Sequence, residues 1–226
     1  MATQLDLQEQ EQLDALKAFW KQYGNLITTL LVVLLAVYAG FNGWKWYERE
    51  QGLKAGAMYD ELDRSAQAGD AERSTRVFAD LKDRFGGTTY AAQGGLLTAR
   101  VQLDKGQSEA ARGTLSWVAE HAGDEGLRNI ARLRLAGLLL DAGEPDAALK
   151  QLDGTTGADF AGLVADRRGD VLAKQGKPAE ARAAYEAAYK GLDTRVDYRR
   201  LVEAKLTALG APPNAAASAA AAGSAP

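Results

Sequence analysis

Cysteine is absent from the 226 residues, which excludes disulfide scaffolds, thiolate metal sites and cysteine nucleophiles together. Histidine occurs once, as His121. A histidine-rich metal site is therefore excluded, and any Ser-His-Asp relay would have to run through that one ring. Proline is scarce, five in all, so little interrupts helix. No stretch alternates apolar and polar residues over a strand length, and β-branched residues are sparse beyond residue 45. Positive charge is not in excess: the formal net charge is −3 and the pI about 5.4. Nothing in that balance recruits nucleic acid. These absences favour a binding or scaffolding protein over an enzyme.

Charge itself is missing from residues 22–44, a run bracketed by Lys21 and Lys45. A helix rises about 1.5 Å per residue, so about 20 apolar residues cross a hydrocarbon layer about 30 Å thick. Residues 25–46 fit that requirement, with Leu26, Leu30, Leu34, Val37 and Phe41 along the run. Trp20 and Tyr23 flank one end and Trp44, Trp46 and Tyr47 the other, as aromatic belts do at the two faces of a bilayer. A buried core helix would lack such belts. A cleaved signal peptide would start positive and end at small residues, whereas this leader carries Glu9, Glu11, Asp6 and Asp14 and the run ends on bulky rings. The segment reads as an uncleaved anchor contacting the lipid bilayer. Lys17 and Lys21 precede it and Lys45, Arg49 and Lys54 follow. That near-neutral balance leans slightly toward a cytoplasmic C-terminal domain and does not decide orientation.

Beyond the anchor, helical spacing is pervasive. Val77, Phe78, Leu81 and Phe85 share one face, Ala92, Leu96, Ala99 and Leu103 another, and Leu201, Leu206 and Leu209 mark a last helix. Gly69, Gly106, Gly143 and Gly176 are spaced by 37, 37 and 33 residues. Seven residues before the last three stand Ala99, Ala136 and Gly169; five after stand Ala111, Ala148 and Ala181; four further on stand Leu115, Leu152 and Tyr185. The glycine ends a first helix in a conformation other residues resist, and the small residues let the second helix approach. One such pair cannot bury its apolar face alone, so pairs stack. The period and register resemble tetratricopeptide repeats, against the alternative of an irregular bundle. The expected class is all-α: leader 1–24, transmembrane helix 25–46, a tetratricopeptide-like solenoid over 47–210, and an alanine-rich tail, 211–226, expected to be disordered. The unit around Gly69 is degenerate, with Ser74 in the alanine place, and residues 195–209 read as a cap whose Arg199, Arg200, Glu203 and Lys205 face solvent.

Chemistry is hard to find in this pattern. Gly86-Gly87 and Gly94-Gly95 lack the lysine and Ser/Thr of a phosphate loop. His121 reads as a cation at a helix C-terminus. Glu48 with Glu50, or Asp159 with Asp166, reads as acids on solvated helix faces rather than a catalytic pair, and Arg132, Arg134, Arg167 and Arg168 read as polar faces. No cofactor, metal or small-molecule substrate is expected. In a stack of this kind the first helices line a concave face. Positions one and five beyond the small residues, Arg100 and Asp104, Gly137 and Asp141, Asp170 and Lys174, are expected to point into it as a mixed-charge line for a protein partner.

Several blocks are similar to a known family: the acidic leader with Glu9-Gln10-Glu11-Gln12, then Lys17, Phe19-Trp20 and Tyr23-Gly24; Gly43-Trp44-Lys45-Trp46-Tyr47 closing the span; Leu133-Arg134-Leu135-Ala136; Ala148-Leu149-Lys150-Gln151-Leu152-Asp153; and Ala165-Asp166-Arg167-Arg168-Gly169-Asp170. Together, over residues 6–209, they resemble the YfgM family of Gram-negative bacteria, an ancillary subunit of the SecYEG translocon. The resemblance implies an inner-membrane protein with a cytoplasmic N-terminus and a periplasmic repeat domain. It also implies two partners, the translocon and a membrane-anchored periplasmic chaperone of the prolyl-isomerase type, with secreted chains handed between them. The alternative is the same fold in the opposite topology, regulating a soluble signalling protein on the cytoplasmic side.

Overall fold

The computed structural model of the chain describes residues 7–193, 195 and 197–212. Among the described residues the secondary structure is nine α-helices and one short 3-10 turn, with no strand. The all-α expectation holds. The chain divides into two compact units, Met1–Gln51 and Gly52–Pro226.

The first unit is helical from residue 7 onward, as the start of α1, Leu7–Gln67. Its apolar side chains are largely exposed. Leu26, Leu30, Leu34, Val37, Phe41, Trp44 and Trp46 are each more than half exposed. The helix is long and apolar enough to cross a membrane. Three of its polar side chains are satisfied within the helix: Thr28 and Thr29 Oγ1 donate to the carbonyls of Gly24 and Asn25, and Asn42 Nδ2 donates to that of Tyr38. Such back-bonding spares those three side chains an unsatisfied donor in hydrocarbon. At the far end Trp44 Nε1 donates to Glu48 and the Lys45 ammonium lies 4.5 Å over the Phe41 ring.

The second unit begins where α1 first finds partners, at Ala55 and Leu62, both fully buried. It continues through α2 (Ala71–Phe85), α3 (Thr89–Asp104), α4 (Ser108–His121), α5 (Glu125–Asp141), α6 (Pro145–Asp153), α7 (Ala161–Lys174), α8 (Pro178–Gly191) and α9 (Tyr198–Ala208). Each helix packs on the next, and the first helices α3, α5 and α7 also stand side by side. That is the layering of a helical-pair solenoid.

One turn is reused throughout. Gly69, Gly106, Gly143 and Gly176 all have positive φ, between 66° and 82°. At each, the glycine N–H donates three residues back and the next N–H donates five back: Gly106 to Leu103 and Gln107 to Gln102, Gly143 to Leu140 and Glu144 to Leu139, Gly176 to Ala173 and Lys177 to Leu172. The double bond satisfies carbonyls that a helix end leaves orphaned. Gly210 makes the same turn, φ 71°, with Ala211 donating to Leu206. Thus α9 ends like a first helix, and residue 211 belongs to its turn; of the tail expected to be disordered, residues 213–226 lie outside the described residues. Pro145 and Pro178 open α6 and α8 at a position where a missing N–H costs nothing.

The repeat register is carried by burial. Ala99, Ala111, Leu115, Ala136, Ala148, Leu152 and Ala181 are all within 1% of fully buried. Gly169 is buried as well, but its missing side chain makes room for the Tyr185 ring, which a Cβ there would strike. Gly95 plays the same part for Val118 and Phe78 between α3 and its neighbours. The degenerate first unit keeps the register with Leu62, Gly69, Ser74 and Phe78; Ser74 is fully buried because Ser65 Oγ, 2.8 Å away, satisfies its hydroxyl. Leu103 departs from the expected core face and is 38% exposed.

Candidate interaction surfaces

The line expected along the first helices divides in two. Arg100 and Asp104 are exposed and pair loosely with each other at 3.9 Å. With Ala99, Leu103, Leu115 and Arg134 they border a shallow cleft of about 160 Å³. Asp141 is exposed and Gly137 half-buried. Lys174 instead reaches back to α5, where its Nζ donates to the Leu140 carbonyl at 2.7 Å, a cation at a helix C-terminus. Asp170 does not face solvent. Its side chain is 19% exposed and turned toward α8 and α9.

That inward turn belongs to a polar junction at the C-terminal end of the stack. Lys205 Nζ lies 2.8 Å from Asp166 Oδ1, 2.9 Å from Asp166 Oδ2 and 2.6 Å from Asp170 Oδ1. The Tyr198 hydroxyl donates to Asp166 Oδ2 at 2.6 Å, the Tyr185 hydroxyl donates to Asp170 Oδ1 at 2.9 Å, and Arg167 approaches Asp170 at 3.3 Å. Asp166 is fully buried. Burial first, and then the hydrogen bond to a carboxylate, push both phenols well above their ordinary range, so they act as permanent donors. Two expectations are corrected here. Asp166 is not an acid on a solvated face, and Lys205 does not face solvent, because α9 lays that side against α7 and α8. Arg200 is exposed as expected.

The arginines read as polar faces also reach between helices. Arg134 Nη1 donates to the Leu96 carbonyl at 3.3 Å, Arg132 Nη1 to that of Gly154, and Arg168 pairs with Asp153 at 2.6 Å. His121 ends α4, its ring stacked on Trp117 at 5.3 Å with Nδ1 against the Trp117 carbonyl. Among the described residues no cluster of His, Asp and Glu is placed to hold a metal ion.

A family model for a tetratricopeptide repeat-like domain matches residues 17–211. A protein of Neisseria gonorrhoeae called "Ancillary SecYEG translocon subunit" is 32% identical over 205 residues, covering 90% of this chain and 98% of that one. The chain belongs to that family. Proteins of the same name from Escherichia coli and Haemophilus influenzae are 29% and 27% identical, each across 80% of this chain.

The residues that sequence reasoning missed are those of the junction. Asp166 and Asp170 are four apart on one helical face and flank Gly169, which is a visible signal. Their cation, Lys205, is 35 or more residues away on a helix that local spacing cannot position.

Proposed function

We propose that this chain is a membrane-tethered interaction subunit of the Sec translocon, with the anchor at residues 25–46 in the inner membrane and the repeats as the protein-binding body. The observation that carries the reading is the union, in one chain, of an exposed apolar helix with a stack of tetratricopeptide-like pairs, matched nearly end to end by relatives bearing the translocon name. In this reading the role is non-catalytic. The leader, residues 1–24, lies in the cytoplasm and the repeat domain in the periplasm, where it links emerging chains to a membrane-anchored chaperone of the prolyl-isomerase type. Arg100, Asp104, Asp141 and Lys174 are the exposed part of the first-helix line open to a partner, with Lys174 steadied by the Leu140 carbonyl; Asp170 serves it only through the packing it holds.

Two measurements test this. A reporter enzyme fused after Gly210, active only outside the cytoplasm, should be active; activity of a cytoplasm-only reporter instead would favour the opposite topology and a soluble signalling partner. Solubilisation in mild detergent should bring the translocon subunits and a periplasmic chaperone down with the full chain. Recovery of neither would refute the reading.

A further inference from the structure

Between the second helices of adjacent pairs, α4 and α6, the stack opens, because these two helices make no substantial contact and both rest on α5. The resulting cleft has a volume of about 560 Å³. Its floor is Arg128, Arg132 and Leu135 of α5; Ser116, Ala119 and Glu120 form one wall, and Lys150, Gln151 and Gly154 the other. Arg128 and Arg132 are fixed in place: Arg128 Nη1 donates to the carbonyls of Ala122 at 2.6 Å and Gly123 at 3.0 Å, and Arg132 Nη1 donates to Gly154. Those bonds use one nitrogen of each guanidinium and cap the C-terminal ends of α4 and α6. The other donors of the two planar forks have no further partner among the described residues. Lys150 and Glu120 are exposed and make no ion pair among the described residues.

Three cations against one acid make the cleft positive in a chain whose formal net charge is −3. A guanidinium whose orientation is already set loses little freedom on binding and presents a geometry that matches carboxylates. We propose that this cleft is a docking site for an acidic, extended segment of a partner protein, with carboxylates placed against Arg128, Arg132 and Lys150. It rests on the reading of the chain as an interaction subunit and names the chemistry one contact would have. The site is separate from the first-helix line, since it lies between second helices. Charge complementarity selects the partner's sign, and the polar lining disfavours an apolar helix.

The test uses the full chain in detergent micelles and two labelled peptides of equal length, one alternating Glu and Ser, the other Lys and Ser. The acidic peptide should bind, severalfold more weakly at high salt, and the basic peptide should not. Lys150→Glu should weaken the acidic peptide about tenfold, while Lys190→Glu, an exposed charge change outside the cleft, should leave it unchanged. A photocrosslinking probe at Ser116 or Gln151 should capture the acidic peptide. Equal binding of both peptides, or equal behaviour of the two lysine variants, would overturn the proposal. So would vesicles containing phosphatidylglycerol binding through Lys150 while neither peptide does. If the peptides fail but the translocon still co-purifies with the chain, only the cleft assignment falls; if the translocon does not co-purify, the functional reading falls with it.

Discussion

Around Gly143 the helices are closed by Leu135, Ala136, Leu139, Ala148 and Leu152, all buried. Around Gly176 and Gly210 the same turn recurs, but the space between helices holds Asp166, Asp170, Tyr185, Tyr198 and Lys205. The two regions share a backbone device and differ in what fills it. An inner helix pair is covered on both sides, so alkyl groups fill it without leaving a polar group unpaired. Among the described residues no helix follows α9. It buries only Val202 and Leu206 as its apolar face, and its position on α7 and α8 is set by directional bonds to two carboxylates. Apolar contact supplies free energy with little orientation; a buried cation shared between acids supplies orientation with little net free energy.

The largest effect is expected at the polar end. Lys205→Met leaves Asp166 buried without its cation and should destabilise the repeat unit by about 3–5 kcal/mol, read as a lower urea midpoint. A midpoint equal to wild type would erase the distinction between the two regions. A smaller effect is expected in the middle. Ala148→Leu adds bulk to a fully buried position and should cost about 1–3 kcal/mol by overpacking; an unchanged melting temperature would refute the register. The smallest effect is one of pH. A phenol pKa raised by folding makes a contribution that is present below the ordinary value of about 10 and lost as pH rises above it. Stability should therefore decline above about pH 10 more steeply in the wild type than in Tyr185→Phe with Tyr198→Phe, measured by denaturant titration across that range. Equal slopes would mean the two phenols are not held as the junction places them.

The anchor, the pair turns and most of the core were legible before folding was considered. The apolar run between Lys21 and Lys45 needs only its length and its belts to be read, and Gly106, Gly143 and Gly176 need only their spacing. The exposure of the first-helix positions was legible in part. Arg100, Asp104, Asp141 and Lys174 lie open as their helical positions imply, although Lys174 also reaches the Leu140 carbonyl, whereas Asp170 occupies an equivalent position and is drawn into packing by Tyr185 and Lys205. Position along a helix predicts a direction. It does not predict whether another helix waits there.

The residues alone determined where the chain is apolar enough for lipid, where each helix must end and which small side chains admit a neighbour, because those properties depend on groups within a few turns of one another. Only the tertiary structure decided which charges are solvated. Asp166 meets Lys205 across 39 positions of sequence, Arg112 meets Glu144 across 32, and Lys174 meets Leu140 across 34. A charged side chain on a helix looks the same whether water or a buried partner completes it, and that choice is made when the pairs stack.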